Sequence, residues 1–138
     1  MRERGYEAFL TRSTDEDMSL KERCEISNSW KADLFISIHC NASHTPDARG
    51  VEVWTWPGNR LAVAEKIQAQ LIKATGFKNR GVKNSGVYYV LRHTKAPALV
   101  VECGFMSNKF ECQLLFDPEM QKKIAFSIAC GIEEAIAK

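Results

Sequence analysis

Two stretches of the chain combine a nearly continuous apolar run with polar residues at its end. The run at residues 34–38 is followed at once by His39-Cys-Asn41, and the run at residues 97–101 is followed by Glu102. Such runs are typical of strands that helices cover on both faces of a sheet. The pattern therefore predicts two core strands, from Asp33 to His39 and from Pro97 to Glu102.

Helical periodicity and helix-start signals predict four helices. Ser19-Leu-Lys-Glu22 is a capping-box pattern, in which the serine hydroxyl and the glutamate carboxylate each satisfy a free backbone N–H. Asp117-Pro118 pairs an N-cap with proline at the first helical position. Isoleucines four residues apart give the last helix an apolar stripe. The predicted helices are Ser19 to Trp30, Arg60 to Thr75, Asn108 to Phe116, and Pro118 to Ala137.

The remaining segments supply shorter elements and complete an alternating order. We predict strands at Tyr6–Thr11, Val51–Trp56 and Val87–Leu91, a turn at Pro57-Gly58-Asn59, a basic loop at Lys78–Gly86, and a helix tail at Met1–Gly5. Helices that alternate with strands indicate a mainly parallel sheet. The predicted fold class is α/β, with residues 1–138 forming a single domain and a twisted sheet covered by helices.

Composition excludes several classes of protein. The net charge of +2 is too small to indicate nucleic-acid binding, and no apolar stretch approaches membrane-spanning length. The charged N-terminus has no apolar h-region, so no signal peptide is expected. Five cysteines at irregular spacing fit neither a zinc ribbon nor a disulfide framework. Buried free thiols are the simplest interpretation, and a Cys40–Cys103 disulfide stays open.

His39 and Glu102 are the candidate chemical groups. Each follows a core strand, and in open α/β sheets ligands bind at the carboxyl ends of strands. A neutral imidazole binds metals and a nearby carboxylate acts as a general base, so the pair suggests metal-assisted hydrolysis. Both residues also have purely structural interpretations, a satisfied histidine and a helix-capping or ion-paired glutamate.

The chain resembles the zinc-dependent N-acetylmuramoyl-L-alanine amidases of bacterial cell-wall hydrolases and phage endolysins, because its motifs occur in the order and spacing of that family. Ser-Ile-His-x-Asn-Ala at 37–42 and Glu-x-Gly-Phe at 102–105 are specific together. The other matching pieces cover nearly the whole chain: Arg4-Gly-Tyr6, Leu10-Thr-Arg12, Leu20-Lys-Glu-Arg23, Gly50-Val-Glu52, Arg80-Gly-Val82, Val90-Leu-Arg92 and residues 97–108.

The resemblance implies a peptidoglycan hydrolase that cleaves the amide between N-acetylmuramic acid and L-alanine of the stem peptide. It implies one Zn²⁺, with His39 as a metal ligand and Glu102 as the catalytic carboxylate. It implies the bacterial cell wall or the extracellular space as the site of action, with a cytoplasmic stage before release if the protein is an endolysin.

The resemblance also predicts an incomplete site. In the family, a first histidine and a ligand glutamate precede the Arg-Gly-Tyr segment. We therefore expect this chain to form the C-terminal three-quarters of an amidase domain, N-terminally truncated and without two of three zinc ligands. Loss of a central strand would expose sheet edges, through which copies of the chain could associate.

Three alternatives stay open from the sequence. The first is an inactive amidase-like fragment that binds glycan or a partner through the same cleft. The second is a thiol hydrolase that uses Cys40 or Cys103 with His39. The third concerns the basic loop, whose Lys78, Arg80 and Lys83 are either a solvated surface or, together with Arg92, a contact for anionic cell-wall polymer or peptide carboxylates.

Overall fold

The fold is described from a computed structural model that covers residues 1–58 and 61–137. In these described residues, a short 3-10 turn at Arg2–Arg4 precedes five helices and four strands. The helices are α1 (Leu20–Trp30), α2 (Ala62–Thr75), α3 (Tyr89–His93), α4 (Lys109–Leu115) and α5 (Pro118–Ile136). The strands are β1 (Phe35–Asn41), β2 (Val51–Thr55), β3 (Asn79–Asn84) and β4 (Ala98–Phe105). No helix in these two ranges is long and apolar enough to cross a membrane.

The four strands form one mixed sheet in the order β1-β4-β2-β3. β1 pairs with β4 in parallel, β2 pairs with β3 in parallel, and β2 runs antiparallel to β4. Two of the three pairings are therefore parallel, which confirms the predicted α/β class with a mainly parallel sheet.

Helices cover both faces of this sheet. On one face α2 and α5 pack over Leu99 and Val101 of β4. On the other face α1 and α3 pack over Ala98 and Val100 of the same strand. Every residue of β4 is buried, because this strand lies between two others and under helices on both sides. Since side chains alternate along a strand, Glu102 shares the face of Ala98 and Val100.

The predicted helix-start signals act as the sequence indicates. In α1 the Ser19 hydroxyl accepts a hydrogen bond from the Glu22 N–H, and the Glu22 carboxylate accepts one from the Ser19 N–H. Asp117 caps α5, with Pro118 at its first position. Asn108 caps α4, but Glu111 does not return the bond, because its carboxylate binds the N–H groups of Gly50 and Phe105 instead.

Several predicted elements are wrong. Tyr6–Thr11 forms no strand, and Phe9 packs its ring against Trp30 instead. The basic loop contains β3, a polar strand at the edge of the described sheet. Val87–Leu91 is not a strand, since α3 begins at Tyr89 and turns Val90 and Leu91 inward. The predicted helix start and turn at residues 59 and 60 lie outside the described residues, and α2 is described from Ala62.

β1 is also less buried than predicted. Within residues 1–58 and 61–137 it has a single neighbouring strand, β4. Ile38 is 58% exposed, and His39 and Cys40 are exposed as well. The apolar run therefore marks a strand at the edge of the described sheet, where its end is open to solvent.

Candidate functional site

His39, Glu102 and Glu52 lie side by side across three strands. His39 of β1 is aligned with Glu102 of β4 in parallel register, and Glu102 is aligned with Glu52 of β2 in antiparallel register. Aligned residues on neighbouring strands point to the same face and lie about 5 Å apart. The two residues predicted from the sequence therefore meet, on the sheet face that α1 and α3 cover.

Glu102 is placed to carry a proton near neutral pH. Its side chain is 6% exposed, and its Oε2 atom has no hydrogen-bond partner among the residues that the structure describes. Burial, together with the negative charge of Glu52, raises the pKa of Glu102 to about 7. A buried, unpaired carboxylate is rare unless it has a function. A pKa near neutrality is what general acid–base chemistry requires.

His39 lies at the exposed end of β1. Its Nε2 atom is 2.8 Å from the Ser37 hydroxyl oxygen. Partial desolvation lowers the pKa of His39, and the guanidinium groups of Arg23 and Arg12 lower it further. The imidazole is therefore neutral at physiological pH, which is the form that binds a metal ion.

The described residues do not complete a zinc site. In residues 1–58 and 61–137, no group of three histidine, cysteine, aspartate or glutamate side chains lies close enough to hold a metal ion. His93 is committed elsewhere, stacked on Tyr89 with its Nδ1 atom 3.0 Å from the Tyr89 carbonyl oxygen. Catalytic zinc sites use three protein ligands. His39 as the single candidate ligand does not fit zinc unless further ligands come from elsewhere.

Glu52 was part of a matching motif but was not predicted to have a role. It is 2% exposed and accepts four hydrogen bonds. Its Oε1 atom accepts from Asn41 Nδ2 at 2.9 Å and Trp54 Nε1 at 3.2 Å, and its Oε2 atom accepts from Arg80 Nε at 2.7 Å and Lys83 Nζ at 2.6 Å. Although burial opposes its ionisation, the hydrogen bonds from Lys83 and Arg80 lower the pKa of Glu52 overall. The available signal was a carboxylate inside an apolar strand, since carboxylates are rarely buried unless paired.

The basic segment is therefore not the freely solvated surface considered above. Arg80 and Lys83 are about two-thirds buried and both bind Glu52. The Arg80 guanidinium lies over the Phe105 ring and the Lys83 ammonium over the Trp54 ring. These cations neutralise a buried carboxylate, so removing them would disturb the site as well as any contact with polymer.

The cysteines do not form a credible nucleophilic site. All five are free thiols. Burial, with the nearby Cys40 and Glu102, raises the pKa of Cys103 to about 12. Desolvation and Glu102 also raise the pKa of Cys40. Since the thiolate is the nucleophile, both thiols are poorly suited to hydrolysis at neutral pH.

The sequence of this chain matches a known protein family. The sequence model of the Amidase_3 family, described as N-acetylmuramoyl-L-alanine amidase, matches residues 1–134. The chain belongs to the N-acetylmuramoyl-L-alanine amidase family. Members of this family are zinc amidases, and the predicted resemblance is confirmed.

Relatives of known structure share the architecture of this amidase-family chain. It is 32% identical to the amidase AmiC2 of Nostoc punctiforme, with a TM-score of 0.92 over 99% of this chain and 76% of that one. It is 36% identical to the catalytic domain of CwlV from Bacillus (Paenibacillus) polymyxa, with a TM-score of 0.87 over 93% of this chain and 71% of that one.

Curated relatives extend beyond the matched region. The amidase CwlM of Bacillus licheniformis is 33% identical over 130 residues, which are 92% of this chain and 50% of CwlM. The chain thus spans about half the length of that relative. The roles of His39 and Glu102 stay predictions, because family membership alone does not test individual residues.

Proposed function

We propose that this chain takes part in hydrolysis of the amide between N-acetylmuramic acid and L-alanine in peptidoglycan. The observation that carries the proposal is Glu102, a buried carboxylate with a pKa of about 7, aligned with His39 at the end of paired strands. Family membership supports the substrate class.

Glu102 supplies the proton transfers that this reaction needs. As water attacks the amide carbonyl carbon, the carboxylate takes a proton from the water while the new C–O bond forms. The protonated carboxyl then gives that proton to the amide nitrogen as the C–N bond breaks. The products are a lactyl carboxylate on the sugar and a free amino group on L-alanine. A pKa near the working pH suits both transfers.

Zinc is proposed as the cofactor on the basis of the family, with His39 as one ligand. The described residues do not supply the other ligands. Zinc binding by this chain alone should therefore be weak, so zinc is supplied in excess when hydrolysis is measured.

The bond that is cut provides the test of this function. Purified peptidoglycan is incubated with the protein and added zinc, and the soluble fragments are identified by mass spectrometry. The proposal expects stem peptides that begin with a free L-alanine. Fragments cut within the glycan or within the peptide, or the absence of fragments, would overturn it.

A second candidate is binding to cell-wall glycan without hydrolysis. The incomplete metal site favours this function. It predicts that the protein sediments with insoluble peptidoglycan and releases nothing, with or without zinc. Release of stem peptides would exclude it. Either function places the site of action at the bacterial cell wall.

We also propose that the open side of β1 is a contact between copies of the chain. Residues 35–41 carry no acidic, lysine or arginine side chain and no proline, the usual protections of an edge strand. The opposite edge strand, β3, does carry Arg80 and Lys83. In light scattering over a concentration series, the wild type should associate and the Ile38→Lys variant should be monomeric. Wild type that stays monomeric throughout would contradict this contact.

A further inference from the structure

Glu52 connects the end of β1 to β3 across the row of candidate residues. Its carboxylate binds Asn41 at the end of β1 and both cations of β3, while its own strand lies directly beside Glu102. Three of the four strands are thus tied to one side chain. Glu102 lies between Glu52 and His39.

Asn41 is fixed from several directions and stands two residues after His39. Its Nδ2 group donates to Glu52, its Oδ1 atom accepts from the Ala42 N–H at 2.8 Å, and its carbonyl oxygen accepts from the Met106 N–H at 2.7 Å. The register between β1 and β4 shifts between His39 and Asn41. At such an irregularity the regular hydrogen-bond pattern between β1 and β4 no longer fixes the direction of the Asn41 side chain. Its direction is therefore set by the contacts that the side chain makes.

We propose that Glu52 is a positioning residue, which through Asn41 holds the end of β1 and its imidazole at a fixed place relative to Glu102. The two cations of β3 hold the Glu52 carboxylate in turn. The inference rests on the proposed function in taking His39 and Glu102 as the groups to be aligned. Displacement of a reacting group by about 1 Å costs up to about 100-fold in rate.

The experiment compares the isosteric Glu52→Gln variant with wild type. The glutamine keeps one acceptor oxygen, so in either orientation its NH₂ group faces two donors and the side chain must give up part of its hydrogen bonds. NMR spectra of the His39 ring are recorded at about pH 8, where the imidazole is neutral in both proteins. We expect shifted ring signals, and exchange of the Met106 amide hydrogen about tenfold faster.

A control separates positioning from general destabilisation. Ile128→Val removes one methylene from the buried core on the sheet face opposite His39, and weakens the fold modestly. It should leave the His39 ring signals unchanged. His39 signals that match wild type in Glu52→Gln, with only stability reduced, would overturn the proposal.

A second variant keeps the proposal testable if Glu52→Gln does not fold. Asn41→Ala breaks the same hydrogen bond from the other end and leaves Glu52 with its cations. In a double variant the two changes should be non-additive, with His39 signals like those of Asn41→Ala alone. Additive changes, or no change in the His39 signals of Asn41→Ala, would overturn the proposal.

Kinetics supply a readout tied to the proposed reaction. On peptidoglycan, Asn41→Ala, which keeps the charge of Glu52 beside Glu102, should lower kcat about 10- to 100-fold with little change in KM, because alignment rather than binding is lost. A raised KM with unchanged kcat would overturn the positioning role. If wild type shows no hydrolysis, the proposed function fails, while the NMR comparison still decides the role of Glu52.

Discussion

Replacing Glu102 with glutamine should make the chain more stable, and the gain should depend on pH. Glu102 is buried, and its pKa in the folded chain is about 7 against an ordinary value of 4.5. Between these two values the folded state binds more protons than the unfolded state, so wild-type stability falls as pH rises through this window. Glutamine has the same shape and no charge, so the stability of the variant should not fall as pH rises through this window.

The size of the effect follows from the pKa difference. Above about pH 7, ionisation of Glu102 lowers the free energy of unfolding, and the pKa difference corresponds to a loss of about 3 kcal/mol. Because relaxation and water entry weaken this penalty, we expect a loss of about 2–3 kcal/mol. At about pH 4.5, near the unfolded pKa, the penalty is almost absent. Glu102→Gln should therefore match wild type in acid and exceed it by about 2–3 kcal/mol at about pH 8.

Urea unfolding with a metal chelator, repeated between about pH 4.5 and 8, measures this difference. Glu119→Gln is the matched control, because Glu119 is 71% exposed and pairs with Lys122 at the surface. Its effect should stay within about 0.5 kcal/mol at every pH. A Glu102→Gln effect of equal size at both ends of the pH range would show that ionisation of buried Glu102 does not destabilise the fold.

Two further predictions concern the buried carboxylate of Glu111 and the thiols of Cys40 and Cys103. Glu111→Gln should lower the free energy of unfolding by about 2–3 kcal/mol, because a 2% exposed carboxylate that accepts from Gly50 N–H and Phe105 N–H would be replaced by an amide that accepts only once. Urea unfolding checks this, and a loss below about 0.5 kcal/mol would contradict it. In the native protein, iodoacetamide should modify exposed Cys40 slowly and buried Cys103 only after unfolding, as peptide mass spectrometry would record. Equal labelling rates for the two cysteines would contradict the burial and pKa values.

The sequence predicted the features that depend on local patterns. An apolar run followed by an ionisable residue located β1 and β4 and singled out His39 and Glu102, but the two strands continue to Asn41 and Phe105, past the predicted ends. Capping residues located α1, α4 and α5, because a cap needs only a side chain and a backbone N–H a few residues away.

The errors concern elements that tertiary packing determines. β3 is polar and reads as a loop, yet pairing with β2 makes it a strand. Aromatic and β-branched residues at 87–91 favour a strand locally, but packing of Val90 and Leu91 against the sheet selects a helix. The four donors to Glu52 include Arg80 and Lys83, which are 28 and 31 residues away, so their convergence is visible only in the fold.

The most direct test of the catalytic role of Glu102 compares amide hydrolysis by wild type and Glu102→Gln at the same zinc concentration. Free L-alanine amino groups released from peptidoglycan are counted over time, with Glu119→Gln as control. We expect wild type and the control to release stem peptides at equal rates and Glu102→Gln to be slower by at least about 100-fold. Release by Glu102→Gln at the wild-type rate would exclude Glu102 from the chemistry.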